Sequence, residues 1–213
     1  MTDAGAAAPP LLVQVWSDYI CPFCHVARER MAYMEREHGA QVEWFPFDLH
    51  PEYPADGLRR ATLETLYGGP GFDQPVRDMA EAAGLPYNPH QVVVPRSRNA
   101  LEFTEWARSL GDGSHRRLHE AIFDAYWRDG RDITQWDVLL DVARSAGLDA
   151  EAGLIAVESG EHAKAVDDST EWARSAGITG VPGIVLDGRL LISGVVAHAD
   201  LDEAVRAVRD GTA

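Results

Sequence analysis

The chain has 213 residues and a formal net charge of −15, and 46% of its residues are hydrophobic. A chain of this length and composition can bury a sizeable core, either as one large domain or as a domain with an insertion. The acidic charge argues against nucleic acids and anionic membranes as partners, and no apolar run approaches the roughly 20 residues that a membrane span needs.

The first ten residues have neither a basic segment nor a long apolar run. They predict a disordered N-terminus over residues 1–10 and not a secretory signal. Without a signal or a membrane span, the expected location is the cytoplasm. In that reducing compartment, a lone pair of cysteines is more often catalytic than structural.

The two cysteines stand where a predicted strand meets a predicted helix. The apolar run 11–16 is typical of a buried strand, and an amphipathic segment runs from Cys24 to about His38. Cys21 therefore lies at a helix N-terminus, where unpaired N–H groups favour an anion and hence the reactive thiolate. Pro22 suits the first helical position, and Cys24 lies one turn further along the same face. The spacing predicts a redox dithiol.

Two other interpretations of the cysteine pair are open. A zinc site needs two more ligands, and His115 and His119 have a suitable mutual spacing, but they lie roughly 90 residues away, against about 12–15 in finger motifs. A purely structural disulfide across one helical turn constrains little, because it closes a very short loop. Redox chemistry is favoured over both.

A second strand is expected after the first helix. Gly39 is a helix stop signal, and the aromatic-rich stretch 41–49 alternates as a strand does. Pro46 predicts an edge position or a bulge, because proline lacks the N–H that a central strand donates. The order strand, helix, strand predicts a parallel βαβ unit.

The middle of the chain is helical nearly throughout, and its end returns to strands. Helices are predicted over residues 59–67, 73–83, 97–110, 114–129, 134–146, 149–158 and 160–176. Apolar runs at 183–186 and 190–193 flank Asp187-Gly188, a dipeptide that favours a hairpin turn. A final amphipathic helix is predicted from about His198 to Arg209.

These elements predict an α/β protein with a thioredoxin-like fold and an inserted all-helical domain. Residues 11–58 would form the first part of the thioredoxin-like domain and residues 160–210 its second part. Residues 59–159 would form the helical insertion.

Several stretches resemble the DsbA superfamily over nearly the whole chain, from about Leu11 to Arg206. The matching stretches are Ser17-Asp18 with Cys21-Pro22-Phe23-Cys24, residues 44–49, residues 125–127 with 131–133, and residues 177–182. The closest branch resembles the FrnE-like proteins, which are related to 2-hydroxychromene-2-carboxylate isomerases and kappa-class glutathione transferases. The resemblance also implies a thioredoxin fold with an inserted helical domain.

The resemblance further implies that the Val181–Pro182 peptide bond is cis. The Val181 backbone would then face the Cys21 sulfur and pair with an extended substrate, as an added strand does. The expected substrate-binding residues are Val181, Pro182, Pro22, Phe23 and His25. A homodimer is implied by the resemblance alone.

The chain departs from the family pattern at three positions. Phe23 stands where the branch usually has tryptophan, and Gly183 stands where threonine is common after the proline. His25 replaces the commoner aromatic residue after the second cysteine. Its imidazole could adjust the stability of the thiolate, or it could be a partly exposed helix residue with no role. Asp18 could cap the approach to the helix or be a solvated turn residue.

The favoured function is a thiol–disulfide oxidoreductase acting on a protein or small-molecule disulfide or dithiol. Cys21 would be the nucleophile and Cys24 the resolving thiol, with no metal or organic cofactor and with glutathione as a candidate co-substrate. The alternative is a glutathione-dependent isomerase or transferase acting on a small aromatic molecule. Relatives with that activity generally carry serine in place of Cys21.

Two further observations bear on the alternatives. Trp44, Phe45 and Phe47 could line a small-molecule cleft, although large aromatic residues more often lie in the core. The apolar faces in residues 103–110 and 118–126 could bind a partner as a chaperone does, but packing within the protein is the more common use of such faces.

Overall fold

The computed structural model describes residues 9–90 and 92–213. The predicted disorder over residues 1–10 falls largely outside these residues. The elements in chain order are β1 (Leu12–Ser17), α1 (Pro22–His38), β2 (Gln41–Pro46), β3 (Leu58–Arg59), α2 (Arg60–Leu66), α3 (Gln74–Ala82), β4 (Val93–Val94), α4 (Arg98–Ser109), α5 (Ser114–Trp127), α6 (Trp136–Ser145), α7 (Ala150–Glu158), α8 (Ala163–Ser175), β5 (Gly183–Leu186), β6 (Leu190–Ser193) and α9 (His198–Asp210). None of the helices in these two ranges is both long and apolar enough to cross a bilayer.

β1 is a central strand of the main sheet, whose order is β2-β1-β5-β6. It runs parallel to β2, with Val15 opposite Trp44, and antiparallel to β5, with Val15 opposite Ile184. β5 and β6 form the predicted hairpin. The parallel pair requires a crossover, which α1 provides. β2 lies at an edge of the sheet, which is the position that Pro46 predicted.

The two faces of β1 belong to two different cores. Val13 and Val15 have no exposed surface and pack in one apolar cluster with Met31 of α1 and Leu201 of α9. Trp16 points to the other face and joins a larger cluster that is built mostly from the helices between the strands. The alternation of side chains along a strand therefore places the sheet between α1 and α9 on one side and the helical region on the other.

The helical region forms as predicted, and the ends of α2–α8 differ from the predicted ends by at most about three residues, as helix ends commonly do. It also contains a short antiparallel pair, β3 with β4, that the sequence did not predict. Phe103 and Ile122 are completely buried, whereas Leu110 is exposed. The apolar faces considered for partner binding thus pack mainly inside the protein.

β2 is shorter than the predicted strand over residues 41–49. The N–H of Phe47 still donates to the Ser17 carbonyl of β1 at 3.0 Å, but the next two backbone N–H groups bond to side chains, so the chain leaves the sheet there. The N–H of Asp48 donates to Thr170 Oγ1 at 2.9 Å, and the N–H of Leu49 donates to Asp18 Oδ2 at 3.0 Å. This turn brings residues 47–49 against the loop that precedes α1.

Candidate active site

The Cys-Pro-Phe-Cys stretch forms the start of α1. Cys21 is the N-cap residue with an extended backbone, and Pro22 is at the first helical position. The Cys21 carbonyl accepts the N–H groups of Cys24 at 3.1 Å and His25 at 3.2 Å, while its own N–H donates to the Asp18 carbonyl at 3.2 Å. Of the first-turn N–H groups, only that of Phe23 is left without a bond to the described residues, and it lies at the positive end of the helix dipole.

The two cysteines lie 3.6 Å apart and are free thiols. Cys24 has no exposed surface, whereas Cys21 retains 5%. Burial raises the pKa of the Cys24 thiol well above its ordinary value, and the neighbouring Cys21 sulfur raises it further. Cys24 therefore stays protonated near neutral pH, and Cys21 is the sulfur that an incoming group reaches first.

The loop before β5 contacts the Cys21 sulfur. The Val181–Pro182 peptide bond is cis, as the family resemblance predicted. The Cys21 thiol donates to the Val181 carbonyl at 3.3 Å. The predicted juxtaposition of Val181 and the sulfur is therefore present, although the two residues are 160 positions apart in the chain.

Phe23 and Pro22 lie at the surface beside the dithiol. The Phe23 side chain is 43% exposed, which is unusual for a large apolar residue. Pro22 is half-buried. Their substrate-binding role stays a prediction.

His25 does not match the expectation of a partly exposed residue. Its ring is completely buried and stacks on Trp127 with a centroid separation of 5.2 Å. Its Nε2 donates to the Pro86 carbonyl at 2.7 Å. Burial lowers the pKa of His25 to about 4, so the ring is neutral near pH 7. A neutral ring without exposed surface does not contact a substrate, so the structure does not support His25 as a substrate-binding residue.

Asp18 is completely buried beneath the active-site loop, so its interpretation as a solvated turn residue is wrong. Its Oδ1 accepts the N–H of Ile20 at 3.1 Å, and its Oδ2 accepts the N–H of Leu49 at 3.0 Å. Burial outweighs these bonds and raises the pKa of Asp18 to about 6. The Asp18 charge also contributes to the raised pKa of Cys24.

Comparison with known proteins places this geometry in a family. The model of the DSBA-like thioredoxin domain matches residues 12–206. The chain belongs to the DSBA-like thioredoxin domain family. The predicted thioredoxin-like fold with a helical insertion is thereby confirmed.

Two similar proteins match this chain over most of their length. YwbO, an uncharacterised protein of Bacillus subtilis, is 25% identical over 197 residues, which cover 91% of this chain and 94% of YwbO. The crystal structure of a probable DsbA oxidoreductase from Streptomyces coelicolor is 26% identical, covers 91% of this chain and 88% of that one, and superposes with a TM-score of 0.80.

Two further solved structures share the fold at lower identity. A 2-hydroxychromene-2-carboxylate isomerase is 18% identical, with a TM-score of 0.72 and coverage of 93% of this chain and 95% of the isomerase. The cytosolic disulfide reductase DsbM from Pseudomonas aeruginosa, crystallised with GSH, is 19% identical, with a TM-score of 0.67 and coverage of 92% and 99%. The family match confirms the predicted resemblance to the DsbA superfamily, and these two structures share its fold.

Gly183 departs from the DSBA-like pattern for a reason that the structure supplies. A Cβ atom at this position would lie 2.5 Å from Cγ2 of Ile178, which is itself buried. Ile178 occupies the space that the side chain of a threonine would need. Packing under the loop therefore explains the glycine after Pro182 without any reference to the substrate.

The aromatic residues considered for a small-molecule cleft are mostly part of the core. Trp44 and Phe47 are buried, and Phe45 is half-buried. Phe45 stacks on Trp16 at 5.0 Å between centroids. Packing, the more common use of such residues, accounts for Trp44 and Phe47.

His115 and His119 lie on α5 in a polar cluster against the active-site loop. The Thr104 hydroxyl donates to the Ala100 carbonyl, so it accepts from the Tyr19 hydroxyl at 2.7 Å. Tyr19 then accepts from His119 Nδ1 at 3.2 Å, which leaves His119 Nε2 as a buried acceptor without a partner among the described residues. Within residues 9–90 and 92–213, these histidines join no group of three or more side chains suited to a metal ion.

The buried Asp18 predicts a pH dependence of stability. Between its ordinary value of 3.8 and about 6, the unfolded carboxyl has lost its proton while the folded one keeps it. The free energy of unfolding should therefore fall by about 2 kcal/mol as the pH rises from 4 to above 6. Urea unfolding of the wild type and of Asp18→Asn across this range measures the difference, which the amide removes.

The exposed Asp56 provides the control for this measurement. Asp56→Asn makes the same change at an exposed side chain and should keep the slope of the wild type. Equal slopes for the wild type and Asp18→Asn would contradict the prediction.

Proposed function

We propose that this protein is a thiol–disulfide oxidoreductase in which Cys21 is the nucleophile and Cys24 the resolving thiol. The Cys21 thiolate attacks one sulfur of a substrate disulfide, forms a mixed disulfide and releases the other sulfur as a thiolate, which takes up a proton. Cys24 then loses its proton and attacks the Cys21 sulfur. The products are the second substrate thiol and a Cys21–Cys24 disulfide, so the substrate gains the two electrons that the dithiol loses.

The observation that carries this proposal is the pair of free thiols at the start of α1, 3.6 Å apart and facing the Val181 carbonyl. Their unequal surroundings support the assignment of roles. Cys24 is the more deeply buried sulfur, and its raised pKa keeps it protonated until a mixed disulfide has formed. Val181 would bind an extended substrate through its backbone, with Pro182, Pro22 and Phe23 beside it.

Turnover needs a partner that restores the dithiol, and we propose glutathione for this role. The fold shared with DsbM, which was crystallised with GSH, supports this choice. DsbM is named a cytosolic disulfide reductase, and the lone cysteine pair of this chain suits the same reducing compartment. The substrates would be disulfides of proteins or of small molecules.

A glutathione-dependent isomerase or transferase reaction is the second candidate, because the fold is also that of 2-hydroxychromene-2-carboxylate isomerase. Isomerisation leaves the oxidation state of the protein unchanged and does not need a second cysteine. The presence of both Cys21 and Cys24 therefore favours the redox reaction.

The reduction of insulin disulfides in the presence of glutathione tests the proposal. The wild type should accelerate the reaction, and Cys21→Ser should reduce the rate to that without protein, because a serine hydroxyl does not exchange with a disulfide. Activity that survives in Cys21→Ser would refute the proposal. Turnover of a chromene carboxylate with glutathione, unchanged in Cys24→Ser, would instead support the isomerase.

A further inference from the structure

A cavity that does not include the dithiol lies beside the segment that follows β2. It has a volume of about 500 Å³ and lies between α8 and the two segments 48–51 and 96–98. Three arginines and three carboxylates line it. They are Arg96, Arg98, Arg174, Asp48, Asp167 and Glu171. The size falls within the range of pockets that take small molecules.

Not all of the charged side chains that line the cavity are ion-paired with each other. Arg98 is neutralised, since its guanidinium contacts Asp167 at 2.5 Å and Asp48 at 3.3 Å. Arg96 has no ion pair with any described residue, and its Nε is a buried donor without a partner. Among the described residues, Arg174 forms no direct ion pair: it donates to the Asp48 carbonyl, lies over the ring of Phe47 and interacts electrostatically with Glu52. Two cations are therefore available to an anionic group.

The same cavity also has an unused acceptor. Asp48 is 4% exposed, and its Oδ1 is buried without a hydrogen-bond partner in the part of the chain that the structure describes. A buried carboxylate oxygen without a donor is unfavourable. Glu171, which has no ion pair in that part of the chain, supplies a second carboxylate on the same wall. The two side chains that carry these unsatisfied atoms, Asp48 and Arg96, both line this cavity.

The cavity is coupled to the dithiol through Asp18. Leu49, in one wall segment, donates its N–H to Asp18 at 3.0 Å, and Ser97, in the other, bonds to the same carboxyl through its side chain. The Asp18 carbonyl in turn accepts the N–H of Cys21 at 3.2 Å. A ligand in the cavity would therefore act on the two segments, containing Leu49 and Ser97, that bond to Asp18 in the loop before Cys21.

We propose that this cavity binds a free α-amino-acid head group of the substrate, with its carboxylate on Arg96 and Arg174 and its ammonium on Asp48. An arginine fork and a carboxylate match the two charges of such a group, and neither a backbone peptide nor a simple anion satisfies both. Small disulfides with zwitterionic ends, such as glutathione disulfide and cystine, carry this group. The inference rests on the proposed function for its substrate but not for its binding chemistry.

Calorimetric titration with S-methylglutathione tests this site, because the thioether cannot react with either cysteine. The wild type should bind it, and Arg96→Gln should weaken the binding roughly ten-fold or more, the loss typical of a charged hydrogen bond. Arg96→Lys keeps the charge and should recover part of the affinity. Arg36→Gln, an equal change of charge at an exposed position on α1, should bind as the wild type does.

A second probe examines the ammonium. The analogue with a glutaryl group in place of the γ-glutamyl group keeps the carboxylate and lacks the amine, and it should bind the wild type roughly ten-fold more weakly. Absence of saturable binding, equal affinities for the two analogues, or equal losses in Arg96→Gln and Arg36→Gln would each overturn the proposal. Binding without insulin reduction would refute the oxidoreductase function alone, and insulin reduction without binding would refute this site alone.

Discussion

The Cys24→Ser variant is expected to accumulate a mixed disulfide between Cys21 and its substrate. The first exchange needs only the Cys21 sulfur, whereas release of the substrate needs a second sulfur 3.6 Å away. A serine hydroxyl at position 24 cannot attack the Cys21 sulfur, so the reaction stops after one step. Intact-mass spectrometry after mixing with an excess of glutathione disulfide should show roughly one glutathione per protein. Insulin turnover should fall below that of the wild type, because only free glutathione is left to release the substrate.

The matched control is Cys21→Ser, which keeps the other cysteine. Cys24 has no exposed surface, and its raised pKa keeps it protonated, so this variant should form no conjugate under the same conditions. The assignment of nucleophile and resolving thiol would be reversed if Cys21→Ser, and not Cys24→Ser, captured glutathione.

Trp127→Ala is expected to be the most destabilising substitution near the site. The Trp127 indole is buried, stacks on His25 and packs against Tyr87 at 5.0 Å between centroids. Its Nε1 donates to the Tyr19 carbonyl at 2.8 Å. Loss of this packing should reduce the free energy of unfolding by about 3–5 kcal/mol, a large share of the roughly 5–15 kcal/mol of a typical domain. Urea unfolding followed by circular dichroism measures it.

Trp172→Ala is the control of the same residue type, on α8. Its side chain is 51% exposed and makes one stacked pair, with Trp16, so its loss should cost no more than about 1.5 kcal/mol. Trp127→Phe separates packing from hydrogen bonding, because it leaves the Tyr19 carbonyl without its donor and should cost about 1–3 kcal/mol. Similar losses for Trp127→Ala and Trp172→Ala would contradict the prediction.

The burial and protonation state of the polar side chains near the dithiol could not be predicted from the sequence. Asp18 and His25 stand within four residues of a cysteine, so the sequence marks them as neighbours of the site. Their state depends on burial, which comes from residues far away in the chain, such as Leu49 for Asp18 and Pro86 for His25. The sequence left both an active and an inert role open for each, and only the packing decided that Asp18 is buried and His25 neutral.

The cavity with Arg96 and Asp48 gave no signal in the sequence. Charged residues are common in this chain, and an unpaired one cannot be distinguished from a paired one without coordinates. Arg96 and Arg98 are two positions apart, yet Arg98 is surrounded by carboxylates and Arg96 has none among the described residues. Ion pairing is a property of three-dimensional neighbours, so this difference appears only in the fold.

By itself, the sequence determined the elements and the chemistry that local patterns encode. The strand before Cys21, the helix that starts at Pro22 and stops at Gly39, and the order of the segments all follow from periodicity and terminal signals within a few residues. The tertiary structure decided what contacts what: that Val181 meets the Cys21 sulfur, and that Ile178 requires a glycine at position 183. The physical reason is that backbone propensities act between near neighbours, whereas burial, charge pairing and close packing arise only when distant segments meet.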